Sequence, residues 1–257
     1  MNALSLFDLS GKTAIVTGGG RGLGRQMAHA FADAKANLVL CSRKLESCEK
    51  VCEELRAKGV KAIAIACDVT KESDVTAVIK ETLNTFGTID IVVNNSGATW
   101  GTPAVDMPLE AWNKVMNVNV TGTFLMSKAA GHVMIKQGGG KIINIASVAG
   151  LGGVDSRFMD TIGYNTSKGA VITFTKDLAS KWGQHGINVN AIAPGFFPTK
   201  MSKGLIDKGE AFIIERTPLG RLGGEQDLQG AALFLASRAS DYVTGDVLIV
   251  DGGMHAM

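Results

Sequence analysis

Short apolar runs rich in β-branched residues alternate with amphipathic stretches along the chain, and this alternation narrows the fold more than any other feature. The runs occupy residues 12–18, 37–43, 61–69, 89–97, 141–147, 187–195 and 247–253. After the first run, Leu23, Met27, Ala30 and Phe31 recur at helical spacing. The second amphipathic stretch ends at Gly59 after basic residues, and the third ends at Gly87, both helix-stop signals. Strands that are apolar on both faces, each followed by a helix, predict a parallel sheet covered on both sides. Right-handed crossovers then make the fold doubly wound, an α/β class with a single sheet. No linker, internal repeat or low-complexity segment interrupts the pattern, so residues 1–257 are expected to form one domain.

The formal net charge is +2 and no long basic run occurs, which leaves no field to gather nucleic acid or an anionic membrane. No apolar run approaches the roughly 18 residues that a membrane span needs. The first residues, MNALSLFDLSGK, lack a basic start followed by a long apolar core, so no secretory signal is expected. Cys41, Cys48, Cys52 and Cys67 lack the CxxC spacing of structural zinc sites and have no histidine near them in sequence. Free thiols without a metal, in a cytoplasmic protein, are the expectation.

The segment TGGGRGLG, residues 17–24, lies between the first strand and the first helix. Glycines there allow a tight turn and let a pyrophosphate approach the helix N-terminus. The spacing is G-x-x-x-G-x-G over Gly18, Gly22 and Gly24, not the G-x-G-x-x-G of the general dinucleotide fingerprint. About 20 residues on, an acid would bind a ribose 2′-hydroxyl and repel a 2′-phosphate. Here the chain reads Ser42, Arg43, Lys44, with no carboxylate. A hydroxyl and a guanidinium suit a phosphate dianion, and Arg21 supplies a second cation, so NADP(H) is expected over NAD(H).

Tyr164 is one of two tyrosines in the chain, and Lys168 follows it by one helical turn on the same face. An ammonium beside a phenol favours the phenolate and is expected to lower the tyrosine pKa, which would let it exchange a proton near neutral pH.

Taken in order, TGGGRGLG, CDV (67–69), NNSG (94–97), NVNVTG (117–122), IINIAS (142–147), YNTSK (164–168) and PGFFPTKM (194–201) resemble the motifs of the short-chain dehydrogenases/reductases over essentially the whole chain. The resemblance implies a Rossmann fold and a catalytic tetrad of Asn119, Ser147, Tyr164 and Lys168. Tyr164 would act as acid or base and Ser147 would position the carbonyl. Lys168 would tune the phenol and hold the nicotinamide ribose. Asn119 would anchor a water in a proton relay. The cofactor set implied is Gly18, Arg21, Gly22, Leu23, Gly24, Ser42, Arg43, Asp68, Val69, Asn95, Gly97, Tyr164, Lys168, Pro194, Gly195, Phe197 and Thr199. Asn95 also suits a structural bond to a neighbouring strand. A homotetramer is implied as well, with Val115, Val118, Phe124 and Val133 as outward-facing candidates on the long helices.

Two departures stand out. Ser96 replaces the usual alanine of NNAG, and little effect is expected of it. Tyr164 follows Ser147 by 17 residues, more than is usual in the family. The extra material joins two catalytic residues and is therefore expected to border the substrate, with Phe158 and Met159 as an apolar wall and Arg157 and Asp160 as polar contacts. Residues 201–216 read as one or two short helices forming a lid of apolar groups and cations, Arg216 among them. Ala149, Gly150, Thr99, Trp100 and Phe196 complete the expected pocket. The reaction implied is interconversion of a ketone and a secondary alcohol. Gluconate 5-dehydrogenase-like and 3-oxoacyl-thioester reductase-like substrates are the alternatives, and a non-catalytic NADP-binding regulator is the alternative of another class.

Overall fold

The computed structural model describes residues 2–156 and 159–256. Seven strands, β1 (Thr13–Thr17), β2 (Asn37–Ser42), β3 (Ala62–Ala66), β4 (Ile91–Asn94), β5 (Gly140–Ile145), β6 (Ile187–Pro194) and β7 (Val247–Val250), make one sheet. The strand order is β3-β2-β1-β4-β5-β6-β7 and every pairing is parallel. Each expected run is a strand, trimmed by a few residues where the chain leaves the sheet toward its C-terminal edge.

Alternation along β1 shows why the strands read as continuous apolar runs. Ala14 and Val16 face α1 (Gly22–Asp33) and α2 (Leu45–Arg56), packing with Met27, Phe31 and Leu55. Ile15 faces the opposite layer, where α3 (Glu72–Phe86), α5 (Gly122–Gln137) and α6 (Ile162–Trp182) contribute Val78, Met126, Met134 and Leu178. Both faces are covered, so polar alternation never develops. α5 and α6 approach closely: a Cβ on Gly131 would lie 2.2 Å from the Trp182 ring.

α4 (Leu109–Met116) and α5 are joined through a π turn at Asn117–Thr121. The lid is α7 (Lys203–Glu215), bent where Gly209 leaves helical geometry. The last helix is α8 (Gln229–Ala236). Before it, the Asp227 carboxylate accepts from Gly224 N–H and pairs with Arg221, which holds the chain in a turn.

Of the four side chains expected to face outward, Val115 is buried, and Val118 and Val133 pack against the core beneath α5. Only Phe124 is exposed, edge-on to Phe174. Among the described residues no helix is long and apolar enough to cross a membrane. The four cysteines are unpaired and buried, and no cluster of three or more metal-ligating side chains is found among the described residues.

Candidate active site

β1 neighbours both β2 and β4, so the chain departs in opposite directions from the C-terminal ends of β1 and β4. A crevice opens at such a switch point. Here it is a cleft of about 1390 Å³, larger than the usual range for one small ligand. Every residue expected to hold a cofactor lines it except Gly24.

Gly24 acts from behind. A Cβ there would lie 2.5 Å from the Gly18 carbonyl oxygen and 2.6 Å from Asn95 Nδ2, so only glycine lets α1 sit this close to the end of β1. Asn95 ties the same corner together, donating from Nδ2 to the carbonyls of Thr17 (2.9 Å) and Gly18 (3.2 Å). It thus has the structural bond that its position suggested while also lining the cleft. Gly22, at φ +53°, opens α1 in a left-handed conformation. We expect Gly24→Ala to destabilise the fold by roughly 1–3 kcal/mol and to weaken dinucleotide affinity. Urea unfolding together with a cofactor titration checks this, and unchanged values in both would contradict the packing described.

At one end of the cleft lie Ser42, Arg43, Lys44 and Asp68. The Ser42 hydroxyl donates to the Lys44 carbonyl (3.0 Å) and accepts from the Lys44 amide (3.2 Å), which turns the chain so that Arg43 follows directly on the strand end. Burial pushes the Asp68 carboxyl up, but the Thr70 hydroxyl and amide and the Arg43 cation more than offset this, so it stays below its ordinary range.

At the other end, Ser147 follows β5, and Tyr164 and Lys168 stand on the first two turns of α6. Lys168 is buried and its Nζ donates to the Ile145 carbonyl at 2.6 Å. The same Nζ lies 5.5 Å from the centroid of the Tyr164 ring. Burial pushes this ammonium down to about 8. Burial also pushes the Tyr164 phenol up, and a hydrogen bond with the Ser147 hydroxyl pulls the other way. The expected lowering of the phenol by Lys168 is therefore not the balance found here: the ammonium is directed at a backbone carbonyl, and burial dominates both groups.

Asn119 is buried in the π turn and does not line the cleft. Its Oδ1 accepts from Ala98 N–H (2.7 Å), and its Nδ2 donates to the Ala98 carbonyl (2.9 Å) and to Ser167 Oγ (2.8 Å). Ser167 Oγ in turn donates to the Tyr164 carbonyl (2.7 Å). The side chain thus braces the β4 loop against the start of α6.

Pro194 ends β6, and Gly195, Phe197 and Thr199 carry the chain along the cleft toward α7. Thr199 lies opposite Gly22, its Cγ2 3.5 Å from where a Cβ would stand. From the longer loop, Leu151, Val154, Asp155 and Met159 line the cleft, as expected of that segment. Arg157 and Phe158 lie outside the described residues. Asp160 does not line the cleft, and its carbonyl accepts from Thr102 N–H at 2.8 Å. Thr99, Ala149, Phe196, Met201, Leu205 and Arg216 line it, whereas Trp100 and Gly150 do not. Sequence reasoning missed Met254 and His255, which also line the cleft. The only hint was the glycine pair Gly252–Gly253, which turns the chain back after β7.

A family model described as enoyl-(acyl carrier protein) reductase matches residues 18–255. Gluconate 5-dehydrogenase of Gluconobacter oxydans (strain 621H) is 38% identical over 256 residues, 99% of this chain and 98% of that protein. A 3-oxoacyl-(acyl-carrier-protein) reductase of Aquifex aeolicus (strain VF5) is 38% identical over 247 residues, 96% of this chain and 98% of that protein. Among solved structures, a gluconate 5-dehydrogenase from Burkholderia cenocepacia J2315, in complex with NADP and tartrate, superposes with a TM-score of 0.94 at 38% identity, covering 100% of both chains. These matches span nearly the whole chain, and the chain belongs to the short-chain dehydrogenase/reductase family.

Proposed function

We propose that this chain is an NADP(H)-dependent oxidoreductase that interconverts a ketone and a secondary alcohol. The observation that carries the reading is one continuous cleft with two chemically distinct ends. One end offers a glycine turn at a helix N-terminus and Ser42, Arg43 and Lys44 without an acid at the end of β2. The other offers a phenol and a hydroxyl in hydrogen-bond contact beside a buried ammonium. The NADP-bound relative supports the same cofactor here.

When bound, the nicotinamide supplies or accepts the hydride. The protein's part is binding, orientation and proton transfer. Arg43 and Ser42 hold the 2′-phosphate. Ser147 fixes the substrate oxygen next to the Tyr164 hydroxyl. Tyr164 protonates that oxygen during reduction and takes the proton back during oxidation. Lys168 would hold the ribose hydroxyls. Asn119 braces the turn that leads to Ser167 and Tyr164, its amide bonded to Ala98 and Ser167, and anchoring of a relay water would fall to the same turn. α7 and the loop residues Leu151, Val154, Asp155 and Met159 border the substrate and exclude water.

The relatives supply two substrate classes for the same chemistry, a sugar acid and a 3-oxoacyl thioester. We also propose a homotetramer, supported by Leu109, Phe124, Ile135 and Ile162 exposed along α4–α6. Light scattering at micromolar concentration checks it, and a monomer mass contradicts it.

Arg43→Ala is expected to lower the NADPH-to-NADH ratio of kcat/KM by roughly 10–100-fold, the loss of a charge-assisted contact. Parallel kinetics with both cofactors measure it, and an unchanged ratio contradicts the assignment.

A further inference from the structure

We propose that Arg216, at the end of the lid helix, and His255, on the C-terminal turn, form a two-pronged subsite for a carboxylate on the substrate. The proposal rests on the reading of the cleft as a carbonyl/alcohol oxidoreductase site and adds the substrate's charge.

Both residues line the cleft, although they lie far apart in sequence. The fold joins them through a specific seam. The segment after α7 runs against the turn after β7: Leu219 N–H donates to the Gly252 carbonyl at 3.1 Å. Gly252 and Gly253 have φ of +68° and +91°. A Cβ on Gly252 would stand 2.6 Å from Thr217 Cγ2, and one on Gly253 would stand 3.0 Å from Pro218. The glycine pair therefore lets Thr217 and Pro218 nest against the C-terminal turn. Arg216 just before the seam and His255 just after it both line the cleft.

Each prong is held in place before any ligand arrives. The Arg216 guanidinium lies over the Phe212 ring, 4.5 Å from its centroid, which fixes its plane. Among the described residues no ion pair joins it to a carboxylate. His255 is anchored by Asp251, whose side chain is only 3% exposed. One Asp251 oxygen accepts from the His255 backbone N–H (2.7 Å) and lies 2.9 Å from Nδ1, and the other accepts from Gly253 N–H (2.9 Å). This leaves Nε2 as the free polar atom of the ring. A carboxylate reaching both groups meets the Arg216 N–H fork and the Nε2 edge of His255, which donates only in the imidazolium form because the Nδ1 proton is engaged by Asp251; both orientations are already set, so little ordering entropy opposes binding.

The test compares matched probes on the NADPH-loaded protein. The probes are 4-oxopentanoate and 5-keto-D-gluconate, each beside its primary amide, which keeps the shape and removes the charge. Calorimetry gives affinity, and cofactor oxidation gives kcat and KM. We expect each acid to be favoured over its amide by about 10–100-fold, as for charge-assisted hydrogen bonds. We expect Arg216→Gln with His255→Gln to bring that ratio toward one, mainly through KM, with Arg216→Lys recovering part of it. Asp251→Asn should reduce the preference with His255 intact. Thermal melts confirm that each variant is folded. Equal affinity for acid and amide, no binding of either acid, or a preference unchanged in folded variants would overturn the subsite. Turnover of the amides without preference for the acids would do so while leaving the reductase reading standing. Acid-selective binding with no turnover would support the subsite and sink the reductase reading.

Discussion

Tyr164→Phe should reduce the rate of carbonyl reduction by roughly two to four orders of magnitude, the usual range for one general acid, while the Kd for NADPH changes little. The substitution removes one oxygen and keeps the ring that packs in the cleft. Ser147 remains in place because its Oγ still accepts from Ala149 N–H at 3.2 Å. Binding and catalysis are thereby separated. The pH profile carries a second signature. Burial holds the phenol above its ordinary value, so the protonated acid persists into the alkaline range. Reduction should therefore hold across neutral pH and fall at alkaline pH, while oxidation, which needs the phenolate, should climb with pH. Both limbs should vanish in the residual activity of the variant. Near-full turnover in Tyr164→Phe would remove Tyr164 from the mechanism.

Lys168→Met should make the protein more stable and inactive at once. The folded-state pKa is about 8 against an ordinary 10.5. The unfolded chain therefore binds more protons between those values, so this group makes stability rise with pH across that window. Below pH 8 the buried ammonium disfavours the folded state by about 3 kcal/mol. Methionine avoids that penalty but loses the hydrogen bond from a charged donor to the Ile145 carbonyl, worth about 2 kcal/mol. The net gain is about 1 kcal/mol near pH 7, or roughly 2–4 °C in Tm for a chain of this size. Chemical unfolding of the protein without added cofactor, at pH 7 and at pH 10, measures it. The variant should lead at pH 7 and lose that lead at pH 10. A variant less stable at both pH values would contradict the buried, weakly compensated ammonium. The loss of turnover would show that the enzyme carries this residue at the expense of stability, as strained functional sites often do.

The sheet was legible in the sequence because its physics is local. Strands covered on both faces must be apolar throughout, and Ile15 beside Val16 shows how successive residues serve opposite layers. The glycine turn and the Ser42–Arg43–Lys44 end of the cleft were equally legible as lining residues, because each is a short contiguous stretch of chain at a strand end. What escaped depends on side chains meeting across the fold. Val115 reads as an outward residue on a helical wheel but is buried against α6 and its neighbours. Asn119 reads as a polar group facing the site, yet the π turn rotates it into the seam between Ala98 and Ser167. The spacing of Tyr164 and Lys168 says that they share a face. It does not say that Nζ is directed at Ile145, so the sign of the phenol's pKa was out of reach. Met254 and His255 reach the cleft only because the glycine pair folds the C-terminal turn back against residues 217–219, a contact with no local signal.

The central claim is NADPH-dependent carbonyl reduction, and its most direct test is the initial rate of cofactor oxidation with NADPH and NADH in parallel. The carbonyl panel holds 5-keto-D-gluconate, an acetoacetyl thioester, a 1,2-diketone and a bulky aryl ketone. Turnover of at least one carbonyl, with NADPH favoured by an order of magnitude or more, is the predicted result. Tight NADPH binding without turnover of any carbonyl, or equal rates with the two cofactors, would contradict it.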